Sequence, residues 1–171
     1  MCIMFYTEND NKRLLAKVKR KLTSLGFKLD GAVRAQVDVG IAGILSFDRC
    51  AGYWMDGMIH MPLIRLNRLW SAQTDYVVLL HEAGHAIVRT KRFRMLKDAF
   101  VKAFGGSYGE SVTGMQNSKD CVSDYATTNT QEDFAETFCA YAQCNGRMPK
   151  GLSEPLQTKW LFVARLAGEA A

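Results

Sequence analysis

The chain has 171 residues, 48% of them hydrophobic and 23% charged, with a formal net charge of +5. That length suits one domain with a sizeable core, and the composition excludes a wholly disordered chain. No apolar run approaches the ~20 residues that cross a bilayer, and the N-terminus lacks the basic leader and cleavage site of a signal peptide. The expectation is a cytoplasmic protein, or one released without a conventional signal, and monomeric by default.

In chain order, Asn9 to Leu25 reads as an amphipathic helix. Leu14, Leu15, Val18, Leu22 and Leu25 recur at helical spacing, with Asn9 or Asp10 as cap and Gly26 as terminator. Val33, Ala35, Val37 and Val39 then alternate as in a half-buried strand, and glycines punctuate further β-like runs at Ile44–Phe47 and Met58–Met61. Pro62 points to an edge or a turn. Helical texture returns from Thr74, a candidate N-cap, to about Arg92, and again from Met95 to Phe104. A long loop, Gly105 to Asn129, follows; a loop of that length usually serves function or hides structure. Gln131 to Cys144, capped by Thr130, and Ser153 to Leu166 complete the helices.

These elements predict a zincin-like α+β fold in one domain, residues 1–171. It comprises an N-terminal helix (1–30), a small, mostly antiparallel sheet (31–70) and a helical part (71–171) that carries the active-site helix. Gly84 lies inside that helix at a cost of about 1 kcal/mol against alanine, which suggests close approach by neighbouring backbone or by the sheet.

The cysteines (Cys2, Cys50, Cys121, Cys139 and Cys144) are odd in number and scattered, without a C-x-x-C pair. That argues against a disulfide framework and a cysteine zinc cluster; Cys139 reads as a small hydrophobe on a helix face. Basic residues gather at Lys12–Lys21 and Arg89–Lys97. Without interleaved aromatic stacking platforms they read as solvated helix faces rather than a nucleic-acid surface.

Chemistry concentrates at His81-Glu82-Ala83-Gly84-His85. On a helix, residues four apart share a face, so His81 and His85 can direct their imidazoles at one ion, and neutral imidazole suits zinc. Glu82 points about 100° round the helix, beside an ion's open position, where it can take a proton from a bound water. The remaining histidine, His60, reads as an ordinary strand residue. A carboxylate must therefore supply a third bond. Glu132 and Glu136 share one face of the Gln131–Cys144 helix; one can bind zinc while the other accepts the N–H of a ligating histidine.

His81-Glu82-x-x-His85 followed by Ser123-x-Tyr125-Ala126-x-Thr128-Asn129-x-x-Glu132-x-Phe134-Ala135-Glu136-x-Phe138 resembles the gluzincin peptidases of the anthrax lethal factor catalytic domain and the related Pro-Pro endopeptidases. The resemblance covers roughly residues 74–145. It implies that Glu132 is the third zinc ligand, that Glu136 holds a ligand from behind, and that Tyr125 aims its hydroxyl at the scissile carbonyl. A positioned phenol can stabilise a developing oxyanion; Tyr108, in the glycine-rich stretch, is a rival for that role. The expected function is zinc-dependent hydrolysis of a protein or peptide substrate. The alternative is a non-catalytic, metal-stabilised protein that binds nucleic acid or a protein partner through its basic faces.

Overall fold

A computed structural model of the chain describes residues 4–5, 7–38, 53–55, 57–62, 64–65, 72–105 and 118–168. Helix α1 (Glu8–Ser24) buries Leu14, Val18 and Leu22 along one stripe. Its cap is Thr7 rather than Asn9 or Asp10: the Thr7 hydroxyl accepts the Asp10 amide N–H, and the Asp10 carboxylate accepts the Thr7 N–H. This reciprocal pair satisfies two donors that a helix start would otherwise leave orphaned. Gly26, at φ 91°, follows the helix, and a Cβ there would stand 2.4 Å from the Ala167 carbonyl oxygen. Only glycine lets the two backbones meet.

Among the described residues, the chain forms five short strands: β1 (Met4–Phe5), β2 (Ala35–Asp38), β3 (Tyr53–Met55), β4 (Met58–Pro62) and β5 (Ile64–Arg65). β1 pairs antiparallel with β5, while the other three form a sheet of order β2-β4-β3. Against the expected mostly antiparallel sheet, two of the three described pairs are antiparallel and one is parallel. β4 runs antiparallel to β3 but parallel to β2, in the register Ala35↔Ile59 to Asp38↔Pro62. β3 reaches β4 through a tight turn at Gly57, φ 78°, whereas the long connection from β2 to β4 permits a crossover and hence a parallel pair. β4 is also central rather than an edge. Pro62 is tolerated because it lies beyond the last β3 pair, Tyr53↔His60, where a missing N–H interrupts no ladder on that side. Helix α1 covers the outer edge of β2: Glu8 accepts the Val37 N–H at 3.2 Å and the Asn11 side chain donates to the Ala35 carbonyl at 3.0 Å. The strand expected at 44–47 lies outside the described residues.

Helix α2 (Ala72–Ile87) carries the histidine motif. It starts before Thr74, which is inside the helix and not its cap, and it ends before Arg92. The stop is Thr90, whose hydroxyl donates to the Ile87 carbonyl at 2.7 Å and accepts the Phe93 N–H at 3.3 Å, so that a separate helix α3 (Lys91–Met95) begins. Leu96 divides α3 from α4 (Lys97–Phe104), where a single helix from Met95 was expected. Within the expected loop, two 3-10 turns form at Ser118–Asp120 and Tyr125–Thr127. Tyr108 falls outside the described residues. Asn129, not Thr130, caps α5 (Thr130–Gln143), accepting the amide N–H groups of both Gln131 and Glu132. Asparagine can present its carbonyl from extended backbone there, while Thr130 is already helical. Ser153 caps α6 (Glu154–Ala167).

The architecture is α+β. One continuous apolar cluster joins α1, β2, β4 and helices α2 to α6. Helices α2 and α5 pack against each other at Gly84, where a Cβ would sit 3.0 Å from Ala135 Cα and 3.3 Å from a Phe138 ring carbon. It is thus the backbone of α5, not the sheet, that needs the glycine. Behind α5, Phe93, Phe100, Phe104, Phe134 and Phe162 meet largely edge to face, with centroids 5.2–6.1 Å apart for Phe93–Phe100 and Phe134–Phe162. Among the described residues, no helix is long and apolar enough to cross a membrane.

Candidate metal centre

The α2–α5 contact decides where the polar side chains go. His81 and His85, one turn apart on α2, face Glu132 in the first turn of α5. His81 Nε2 lies 3.2 Å from His85 Nε2 and 3.0 Å from Glu132 Oε2, and His85 Nε2 lies 3.4 Å from the same oxygen. All three side chains are mostly withdrawn from solvent, between 12% and 18% exposed.

Glu136, one turn further along α5, approaches His81 from the other side, with Oε1 2.6 Å from His81 Nδ1. A carboxylate only accepts, so Nδ1 carries a hydrogen and the neutral ring turns a lone pair toward His85 and Glu132. Glu132 Oε2 is buried and faces both Nε2 atoms. Three such lone pairs repel one another unless a proton or a metal cation lies among them. A tetrahedral zinc ion about 2.0–2.1 Å from each donor would hold its donors roughly 3.3 Å apart, which the observed triangle of 3.0, 3.2 and 3.4 Å matches. The residues therefore fit such an ion in size as well as in donor chemistry.

Without a metal, a proton takes the central place. Burial opposes the charge on His81, but Glu132 and Glu136 outweigh it and raise its pKa from 6.5 to about 9. Burial likewise opposes ionisation of Glu132, yet His81 and His85 pull its pKa down to about 2. Glu136 is lowered by the His81 hydrogen bond, against burial and with help from Ser123. Glu82 behaves oppositely. It is 6% exposed, and burial raises its pKa despite the neighbouring imidazoles. A carboxyl shifted toward neutrality is better matched to taking and returning a proton near pH 7.

Tyr125 opens a 3-10 turn beside the cluster, its ring centroid 6.0 Å from that of His81, and it is 56% exposed. The structure thus gathers His81, Glu82, His85, Tyr125, Glu132 and Glu136 into one region. His60 is placed on β4. Comparisons of the chain with protein-family models, with curated proteins and with solved structures return no match.

Two residues tie this region together without having stood out as functional in the sequence. The Ser123 hydroxyl donates to Glu136 Oε2 at 2.6 Å. Lys159, on α6 and 3% exposed, places its ammonium 2.6 Å from Asp133 Oδ2 and donates to the Asp120 carbonyl at 2.7 Å. Ser123 lies within the string that carries the family resemblance, but nothing in its spacing reveals a hydrogen bond between two elements. Lys159 reads as one more cation on an amphipathic helix; only its place on the apolar side of α6 hints at a buried partner.

Proposed function

We propose that the chain is a zinc-dependent metalloendopeptidase of the gluzincin type on a zincin-like fold, with His81, His85 and Glu132 as metal ligands. The observation that carries this reading is the convergence of His81 Nε2, His85 Nε2 and Glu132 Oε2 to within 3.0–3.4 Å of one another. Two imidazoles and one carboxylate form a donor set that suits zinc and leaves one further tetrahedral position for water or substrate. The spacing of the sequence motifs supports the same choice.

Zinc in this place supplies Lewis acidity and lowers the pKa of water in the open position. The remaining chemistry belongs to the chain. Glu82 takes the proton of the attacking water and returns it to the leaving amine, helped by a pKa that burial has raised. Tyr125 donates its phenol hydrogen to the carbonyl oxygen as negative charge develops there. Glu136 accepts the Nδ1 hydrogen of His81 and keeps its Nε2 lone pair aimed inward. These roles suit an amide, with an acyl group to attack and an amine to leave, and a protein or peptide is the substrate proposed.

Elemental analysis tests the metal assignment. The purified protein should hold one zinc per chain, His85→Ala should lose it, and Glu82→Gln should keep it. A His85→Ala protein that retains full zinc would remove the assignment.

A further inference from the structure

We propose that Ser123 is a positioning residue that fixes the plane of the Glu136 carboxylate, and through it the His81 ring, while fastening the turn that carries Tyr125. The inference rests on the zinc reading of the site. Ser123 Oγ donates to Glu136 Oε2 at 2.6 Å and accepts the amide N–H of Ala126, the residue after Tyr125, at 3.2 Å. The other carboxylate oxygen, Oε1, lies 2.6 Å from His81 Nδ1. One hydroxyl therefore links both halves of the site: the ligand-bearing helices on one side and the tyrosine turn on the other.

The physical need for such a link is plain. The terminal torsion of a glutamate is broad and only two-fold, so a carboxylate held through one oxygen can swivel and carry its histidine partner with it. Held through both oxygens, its plane is set, and the imidazole axis follows. The serine itself sits on a segment whose other end is pinned. Lys159 donates to the Asp120 carbonyl at 2.7 Å and pairs with Asp133 at 2.6 Å, joining the stretch before Ser123 to both α5 and α6. The hydroxyl thus comes from backbone already fixed to the frame, at little further cost in conformational entropy.

The test measures zinc affinity by competition with a chromophoric chelator, and hydrogen exchange of the 118–128 peptide in metal-free protein. Wild type is compared with Ser123→Ala, which removes the hydroxyl, and Ser123→Thr, which retains it. Ser123→Ala should weaken zinc binding about 10-fold or more, the usual size of an outer partner's effect, and should speed exchange across 118–128. Ser123→Thr should return both toward wild type. A Ser123→Ala protein that is folded by circular dichroism and binds zinc as wild type does would overturn the proposal. So would equal weakening by both substitutions, because the hydroxyl would then not be the cause. Wild type that binds zinc no better than His85→Ala would remove the zinc reading first, and this inference with it.

Discussion

At the residue scale, the site separates acid–base work by environment. Glu132 and Glu82 are both largely buried, yet one is held to about 2 by the histidines it faces while the other is raised by burial. The first is suited to remain an anion under a cation, the second to exchange a proton. Glu82→Gln preserves shape but cannot take a proton, so zinc-loaded variant should lose about 10²-fold or more in peptide hydrolysis with its metal content unchanged. Parallel loss of zinc and activity would assign Glu82 to the metal instead. The residue scale is also where the sequence was most readable. The spacing of His81 and His85 translates directly into a shared helix face, because that relation needs only the helical period. Which of Glu132 and Glu136 joins the two Nε2 atoms depends on how α5 lies against α2, and residue types alone left both open.

At the element scale, close approach of α2 and α5 makes the site possible. Gly84 allows it, since a side chain there would meet Ala135 and Phe138. Gly84→Leu should therefore destabilise the protein by about 3 kcal/mol or more through overpacking, measured by urea unfolding; a stable and active variant would show that the helices need not touch. The Lys159–Asp133 pair, 3% and 0% exposed, makes a different demand. Lys159→Met strands a buried carboxylate and should cost about 3–5 kcal/mol, whereas Lys159→Met with Asp133→Leu should recover most of that loss. If both variants unfold at the same urea concentration, the pair is not what holds this segment. The helices themselves were legible because their apolar stripes repeat, and their ends were not. Thr7 and Asn129 cap one residue or more away from the expected positions, and Thr90 starts a new helix where the Thr74–Arg92 helix was expected to run on, since a cap is chosen by local hydrogen bonding that periodicity does not report. Gly84 was legible as an anomaly, although its partner was not.

At the scale of the whole molecule, sheet topology was the least legible feature. Short strands with alternating residues look alike in parallel and antiparallel pairs, so the pairing of β2 with β4 could not be read from Val33–Val39 and Met58–Met61 alone. The α+β organisation was legible, because helical and β-like textures occupy separate stretches of chain. Whole-molecule stability should report the site's charge balance. The raised pKa of His81 contributes stability that is complete below 6.5 and is lost as pH rises through about 9. The lowered pKa of Glu132 contributes stability that is complete above 4.5 and is lost as pH falls through about 2. Metal-free protein should thus be most stable between these limits, and its Tm should fall from pH 6.5 to 9. Added zinc should raise Tm by a margin that grows over the same interval, because the ion replaces a proton held there. A zinc effect independent of pH would mean that the ion binds elsewhere.

Hydrolysis of peptide bonds at the three-donor cluster is tested by cleavage of a diverse peptide library by zinc-loaded protein, with zinc-loaded Glu82→Gln alongside. Defined cleavage products are expected from the wild type and an intact library from the variant. An intact library in both samples, or the same products from both, would contradict the proposed hydrolysis.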